Sequence, residues 1–144
     1  MSLRPFHLAF PVKDLPITQQ FYETVLGCKL GRRSDTWLDF DFFGHQLTAH
    51  LRPDDCPSSK TNIVDGHAVP VRHWGIILAM PQWQALAERL RQHQIAFVIE
   101  PYIRFQGKPG EQATMFFLDP SGNALEFKAF AAEAAIFATD AEPR

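Results

Sequence analysis

The chain has 144 residues, 46% hydrophobic and 21% charged, with a formal net charge of -2. That length suits one domain or two small modules, and at this size about two-thirds of the unfolded surface is buried without disulfides or a structural metal. The balanced charge, with no run of Lys and Arg, excludes a nucleic-acid or anionic-membrane partner, while thirteen Phe point to an aromatic core or pocket wall. Cys28 and Cys56 form neither a disulfide framework nor a zinc ribbon. The N-terminus lacks the apolar stretch of a secretory signal, and no apolar run approaches the ~20 residues that span a bilayer, so a cytoplasmic protein is expected.

In chain order, Pro5 to Val12 alternates as a half-buried strand, with Phe6, Leu8 and Phe10 on the helix side and His7 on the other. Asp14 reads as an N-cap for a helix carrying Ile17, Phe21, Tyr22 and Val25, stopped by Gly27. Cys28 to Arg32, Thr36 to Phe42 and Gln46 to Leu51 then read as short strands, with a turn at Gly44. Residues 53–70 are rich in Pro, Ser and Asp and read as a linker containing a solvated His67. His73 to Ala79 is the next strand, and Pro81 opens a helix with Trp83, Leu86 and Leu90 on one face, through Gln94. Three strands close the pattern at Ala96 to Ile99, Thr114 to Leu118 and Ala124 to Phe130, before an Ala-rich tail. The result is α+β: a first βαβββ module in 1–52, a linker in 53–70, a second module in 71–130 and a tail in 131–144.

The two modules are repeats. His7 matches His73 at an offset of 66, whereas Gly44 matches Gly122 and Thr36 matches Thr114 at 78, so the second copy carries twelve more residues. These fall at Tyr102 to Gln112, a Gly- and Pro-containing stretch that reads as a lid. Alternation along the strands puts His7, His73 and Glu126 on the face away from the helices. Two imidazoles and one carboxylate on an open face make a facial ligand set that leaves metal positions free for substrate, oxygen or water. A lone His or Glu on a strand is more often only solvated; the recurrence of His at equivalent places favours the ligand reading.

Phe6-His7-Leu8-Ala9-Phe10-Pro11-Val12, Phe21-Tyr22-Glu23-Thr24-Val25-Leu26-Gly27-Cys28 and Phe117-Leu118-Asp119-Pro120-Ser121-Gly122-Asn123-Ala124-Leu125-Glu126-Phe127 resemble the vicinal oxygen chelate superfamily. Glyoxalase I, extradiol dioxygenases, fosfomycin-resistance transferases, methylmalonyl-CoA epimerase and bleomycin-binding proteins belong to it. The resemblance runs from Pro5 to Phe130 and is most specific in Asp-Pro-x-Gly-x3-Glu. It implies paired βαβββ modules forming a cup-shaped, partly closed mixed sheet with the helices outside. It also implies a divalent metal held by His7, His73 and Glu126, Fe(II) first and Mn(II), Ni(II) or Zn(II) as alternatives, and a homodimer.

The wording of the chain is closest to small proteins described as extradiol-type dioxygenases, which implies a catechol-like, vicinal-oxygen substrate. In glyoxalase I and the epimerase a fourth ligand comes from the last strand of the first module, where the offset of 78 places Thr48. His50 lies two residues on, on the same face. Ring-cleaving enzymes of the longer type carry a His before the Asp-Pro segment and a Tyr three before its Asp; this chain has no such His, and Phe116 in place of the Tyr. Proton transfer then falls to His50, His45, Tyr102 or Arg104, and Arg104 and Lys108 are candidates for holding a substrate carboxylate. Phe116 and Leu38, read as equivalent third-strand positions, are expected to line the pocket. Alternatives are a glyoxalase-like lyase, isomerase or thiol transferase using the metal only as a Lewis acid, and a metal-free binding protein.

Overall fold

The computed structural model describes residues 3–57, 61–64 and 67–139. The chain divides into two units: Met1–Ser59 with Asp119–Asn123, and Lys60–Leu118 with Ala124–Arg144. Unit 1 runs β1 (His7–Val12), α1 (Leu15–Gln20), a π-helical turn at Phe21–Val25, β2 (Lys29–Arg33), β3 (Trp37–Phe42) and β4 (His45–Leu51). In unit 2 a hairpin of β5 (Thr61–Val64) and β6 (His67–Pro70) precedes β7 (His73–Trp74), α2 (Met80–Gln92), β8 (Phe97–Arg104), β9 (Gln112–Leu118) and β10 (Ala124–Phe130). The four-stranded sheets have the orders β1-β4-β3-β2 and β7-β10-β9-β8, the same topology twice. In each, the first strand is parallel to the last and the other pairs are antiparallel. The α+β class and the repeated βαβββ order are as the sequence implies. No helix among the described residues is long and apolar enough to cross a membrane.

Local chemistry accounts for the elements. Asp14 Oδ1 accepts from Ile17 N at 2.8 Å and starts α1. The helix is shorter than its apolar stripe predicts, because Leu26 N donates to Phe21 O, five residues back, and widens the last turn. That turn buries Phe21, Tyr22 and Val25, while Ile17 is 52% exposed and Thr18 takes the buried place instead. In α2, Trp83, Leu86 and Leu90 are buried as the spacing predicts, and Trp83 Nε1 donates to Phe127 O at 2.9 Å. Phe43 and Gly44, with φ of 53° and 88°, form the two-residue turn between β3 and β4.

Three readings need correction. Phe6 precedes β1 and is 63% exposed, so the core face of that strand begins with the half-buried Leu8. Residues 53–70 are not featureless: they hold a 3-10 turn at Pro53–Asp55 and the β5–β6 hairpin; the side chain of His67 lies outside the described residues. The stretch read as a lid is strand at its ends, since β8 continues to Arg104 and β9 opens at Gln112, which leaves Phe105 to Glu111 as loop. That loop is internally bonded, with Gly107 N donating to Glu111 Oε1 at 2.7 Å.

The Asp-Pro-Ser-Gly-Asn turn belongs to unit 1, where Asp119 is a buried hub. Its Oδ1 accepts from Ser121 N and Asn123 N, and its Oδ2 from Tyr22 Oη and Asn123 Nδ2, all at 2.9 Å. Burial pushes the Asp119 carboxyl up from its ordinary range, with these hydrogen bonds working against the shift. Tyr22 is fully buried and stacks on Phe40 at 5.1 Å, so its hydroxyl has no access to water. Tyr22→Phe should therefore lower stability by about 1–2 kcal/mol by removing one donor from Asp119 Oδ2. Urea denaturation measures it, and an unchanged midpoint would show that Asn123 alone satisfies that oxygen.

Candidate metal centre

The open face of unit 2 is built on β10, which lies between β7 and β9. Leu125 and Phe127 point into the core and are fully buried, and alternation turns Glu126 and Lys128 to the other face. Glu126 is 14% exposed at its side chain and is held by one of its two oxygens. Thr114 Oγ1, from β9, donates to Oε2 at 2.7 Å. Around Oε1 lie His73 Nε2 at 3.4 Å and Lys128 Nζ at 3.7 Å. Phe116 sets its ring edge-on to His73, centroids 5.0 Å apart, and packs with Val69, Ile99 and Ala124 as an apolar floor.

This approach requires a glycine. Gly75 stands opposite Glu126 where β7 continues toward Ile77, and a Cβ there would overlap the Glu126 carbonyl oxygen. No non-glycine residue fits unless the β10 backbone shifts at Glu126.

The two histidines share an electronic arrangement. His73 Nδ1 lies 2.9 Å from the Pro70 carbonyl oxygen, which only accepts, so Nδ1 carries the proton and donates. In the neutral ring Nε2 then holds a lone pair that faces Glu126 Oε1, an acceptor opposite an acceptor. A cation bound to both removes the conflict, and an imidazole with its other nitrogen donating to a carbonyl is the usual setting of a metal-ligating His. His7, in unit 1, repeats it: Nδ1 is 2.9 Å from Gln46 Oε1, the residue directly across β4, which leaves Nε2 open. The donor chemistry therefore fits a divalent metal. Among the described residues the structure brings His73 and Glu126 together, and no group of three or more His, Cys, Asp or Glu converges on one point.

Other anticipated residues fall as follows. Thr48, at the fourth-ligand place, donates its hydroxyl to Asp39 Oδ1 at 2.7 Å, and Arg32 Nε lies 3.6 Å from Asp39 Oδ2. Asp39 faces Thr48 as Phe116 faces Glu126, so Asp39, not Leu38, is the equivalent of Phe116. Leu38 is buried on the other face. The offset of 78 slips to 77 in the third strands because the second hairpin loop is one residue longer, and Trp37 rather than Thr36 matches Thr114. His50 is exposed near the end of β4, between Pro11 and Trp37. His45 Nδ1 accepts from Phe6 N at 2.8 Å, which ties it to the backbone.

Tyr102 lies on β8 opposite Thr114, packed against the apolar floor, and Arg104 two residues on places its guanidinium 5.1 Å over the Phe105 ring. Thr114 and Lys128 were not singled out from sequence; their two-residue spacing from Phe116 and Glu126 was the available signal. Gln112 joins them, buried, with an Oε1 that has no hydrogen-bond partner.

Two mixed four-stranded sheets of identical order, each with its own helix, are a paired-module α+β fold. The family model for the Glyoxalase/Bleomycin resistance protein/Dioxygenase superfamily matches residues 4–127, and the chain belongs to that superfamily. Its members are often metal-dependent enzymes and commonly bind divalent metals. A crystal structure of a glyoxalase/bleomycin resistance protein/dioxygenase from Alicyclobacillus acidocaldarius is 36% identical, with a TM-score of 0.78 over 92% of this chain and 96% of that one. A genomically encoded fosfomycin resistance protein from Listeria monocytogenes shares the fold at 17% identity, TM-score 0.66, over 94% and 98% of the two chains. A lactoylglutathione lyase from Agrobacterium tumefaciens does so at 16%, TM-score 0.62, over 86% and 91%. No curated protein matches.

Gly75→Ala should displace the β10 backbone at Glu126, lowering stability by about 2 kcal/mol or more. Urea denaturation measures the loss; wild-type stability would show that β7 yields instead of β10.

Proposed function

We propose that the chain is a metal-dependent dioxygenase of extradiol type, acting on a small catechol-like compound that chelates through two vicinal oxygens. The observation that carries this reading is the His73 and Glu126 pair, with His73 Nδ1 engaged by the Pro70 carbonyl and Nε2 turned to the carboxylate. His73 and Glu126 would hold the metal, with His7 as the third ligand. When bound, the metal supplies Lewis acidity and open positions for two substrate oxygens and for dioxygen. The chain's own part is to fix the carboxylate through Thr114, to fix the imidazoles through Pro70 and Gln46, and to shield one side with Phe116. Tyr102 and His50 are the proposed proton carriers, and Arg104 is a holder of substrate charge. Engagement of the Thr48 hydroxyl by Asp39 favours a three-ligand site over the four-ligand, glyoxalase-like arrangement.

A second reading has its own support. The neighbour of His73 on the open face is the apolar Phe116, where an oxygenase would profit from an acid or base. That favours a glyoxalase-like enzyme using the metal only as a Lewis acid. The protein loaded with Fe(II), Mn(II), Ni(II) or Zn(II) should be offered catechols and hemithioacetals while oxygen uptake is recorded. We expect oxygen uptake with a catechol by the Fe(II) form, and about one metal per chain that falls sharply in His73→Ala and Glu126→Gln. Turnover of a hemithioacetal by the Zn(II) form without oxygen uptake would replace the first reading by the second.

The exposed apolar side chains of Phe6, Ile77 and Leu118 support a homodimer. Light scattering should give twice the chain mass at micromolar concentration, and the single-chain mass would refute it.

A further inference from the structure

We propose that Lys128 is a substrate-binding residue that selects for an acidic substrate, one bearing a carboxylate besides its chelating oxygens. The inference rests on the proposed metal reading and deepens it. Lys128 shares the open face with Glu126, and its backbone is pinned on the side of β10 that faces Ile76 and Leu78. Its N–H donates to Ile76 O at 3.2 Å, its carbonyl accepts from Leu78 N at 2.7 Å, and it stands opposite Thr114 on β9. Its side chain is only 21% exposed and its Nζ lies 3.7 Å from Glu126 Oε1, so the ammonium stands beside the site.

Among the described residues the carboxylate within 4 Å of that ammonium is Glu126, at 3.7 Å, beyond hydrogen-bond length. Glu126 Oε2 is already engaged by Thr114, and Oε1 also faces His73 Nε2. Once Glu126 ligates a cation, its charge is neutralised there, and Lys128 becomes a half-sequestered positive charge without a counter-charge. Such a group demands a partner. A divalent ion with one carboxylate ligand and an ammonium beside it is cationic overall, which suits an anionic chelator better than a neutral one. Unit 1 holds His50 at the corresponding place, opposite Trp37, so this lysine is particular to the unit that carries the carboxylate ligand.

The test uses the Mn(II)-loaded full chain, titrated anaerobically by calorimetry with catechol and with 2,3- and 3,4-dihydroxybenzoate. The three probes chelate alike, and the last two add one carboxylate. In the wild type at least one dihydroxybenzoate should bind about tenfold tighter than catechol, as a charge-assisted contact allows. Lys128→Met should bring that ratio to about one, while Lys128→Arg should keep it. If Lys128→Met does not fold, Lys128→Gln makes the same comparison. Equal affinities in the wild type, an unchanged ratio in Lys128→Met, or loss of the preference in Lys128→Arg would each overturn the proposal. Mn(II) binding without a carboxylate preference overturns this inference alone; no Mn(II) binding overturns it together with the metal reading.

Discussion

In both units the first strand lies parallel against the last, and the placement of the candidate ligands follows from that pairing. The register of β7 on β10 puts His73 opposite Ala124 and Gly75 opposite Glu126, so His73 and Glu126 become diagonal neighbours on one face. Residues fifty-three apart in sequence thereby come within 3.4 Å. A parallel pair needs a crossover, which is why a helix must follow the first strand in each module. The approach is close enough that position 75 excludes any side chain, so the backbone itself dictates where Glu126 stands.

The two units use a hydroxyl and a carboxylate in opposite senses. In unit 2 the threonine is on β9 and the acid on β10; in unit 1 the acid, Asp39, is on β3 and the threonine, Thr48, is on β4. Asp39 also faces the Arg32 guanidinium, an arrangement that neutralises it within its own sheet. Glu126 instead faces an imidazole nitrogen and an ammonium that is too distant to hydrogen-bond. Of the two carboxylates, the one on the last strand of unit 2 keeps an oxygen available to a ligand.

Much of this was legible in the sequence. Repeat offsets gave the βαβββ order, and alternation put His73 and Glu126 on one face, because hydrophobic periodicity follows directly from which face of a strand or helix is buried. What escaped was set by backbone detail. The π turn at Phe21–Val25 has no periodic signature, so Ile17 and Thr18 were exchanged. A single extra residue in the Asp119–Asn123 loop shifted the third-strand match by one and so misassigned Leu38 for Asp39. Tyr102 and Arg104 read as loop because Gly and Pro follow them, although β8 runs through both. Lys128 was passed over because a charge on a strand usually only faces water.

The orientation of the two histidines is the feature that packing alone explains least. His73 and His7 are repeat-related, yet their Nδ1 atoms are met by chemically different acceptors: a backbone carbonyl before β7 in one unit and a carboxamide side chain on β4 in the other. If the rings merely filled space, nothing would demand that the same nitrogen be engaged in both. Two unrelated acceptors that meet the same nitrogen leave Nε2 of each ring turned away from them, which is the setting a ligating imidazole has. Gln46 is neutral, so it meets the His7 ring without adding charge beside it. In unit 2 the carboxylate is Glu126, and Thr114 holds it in place.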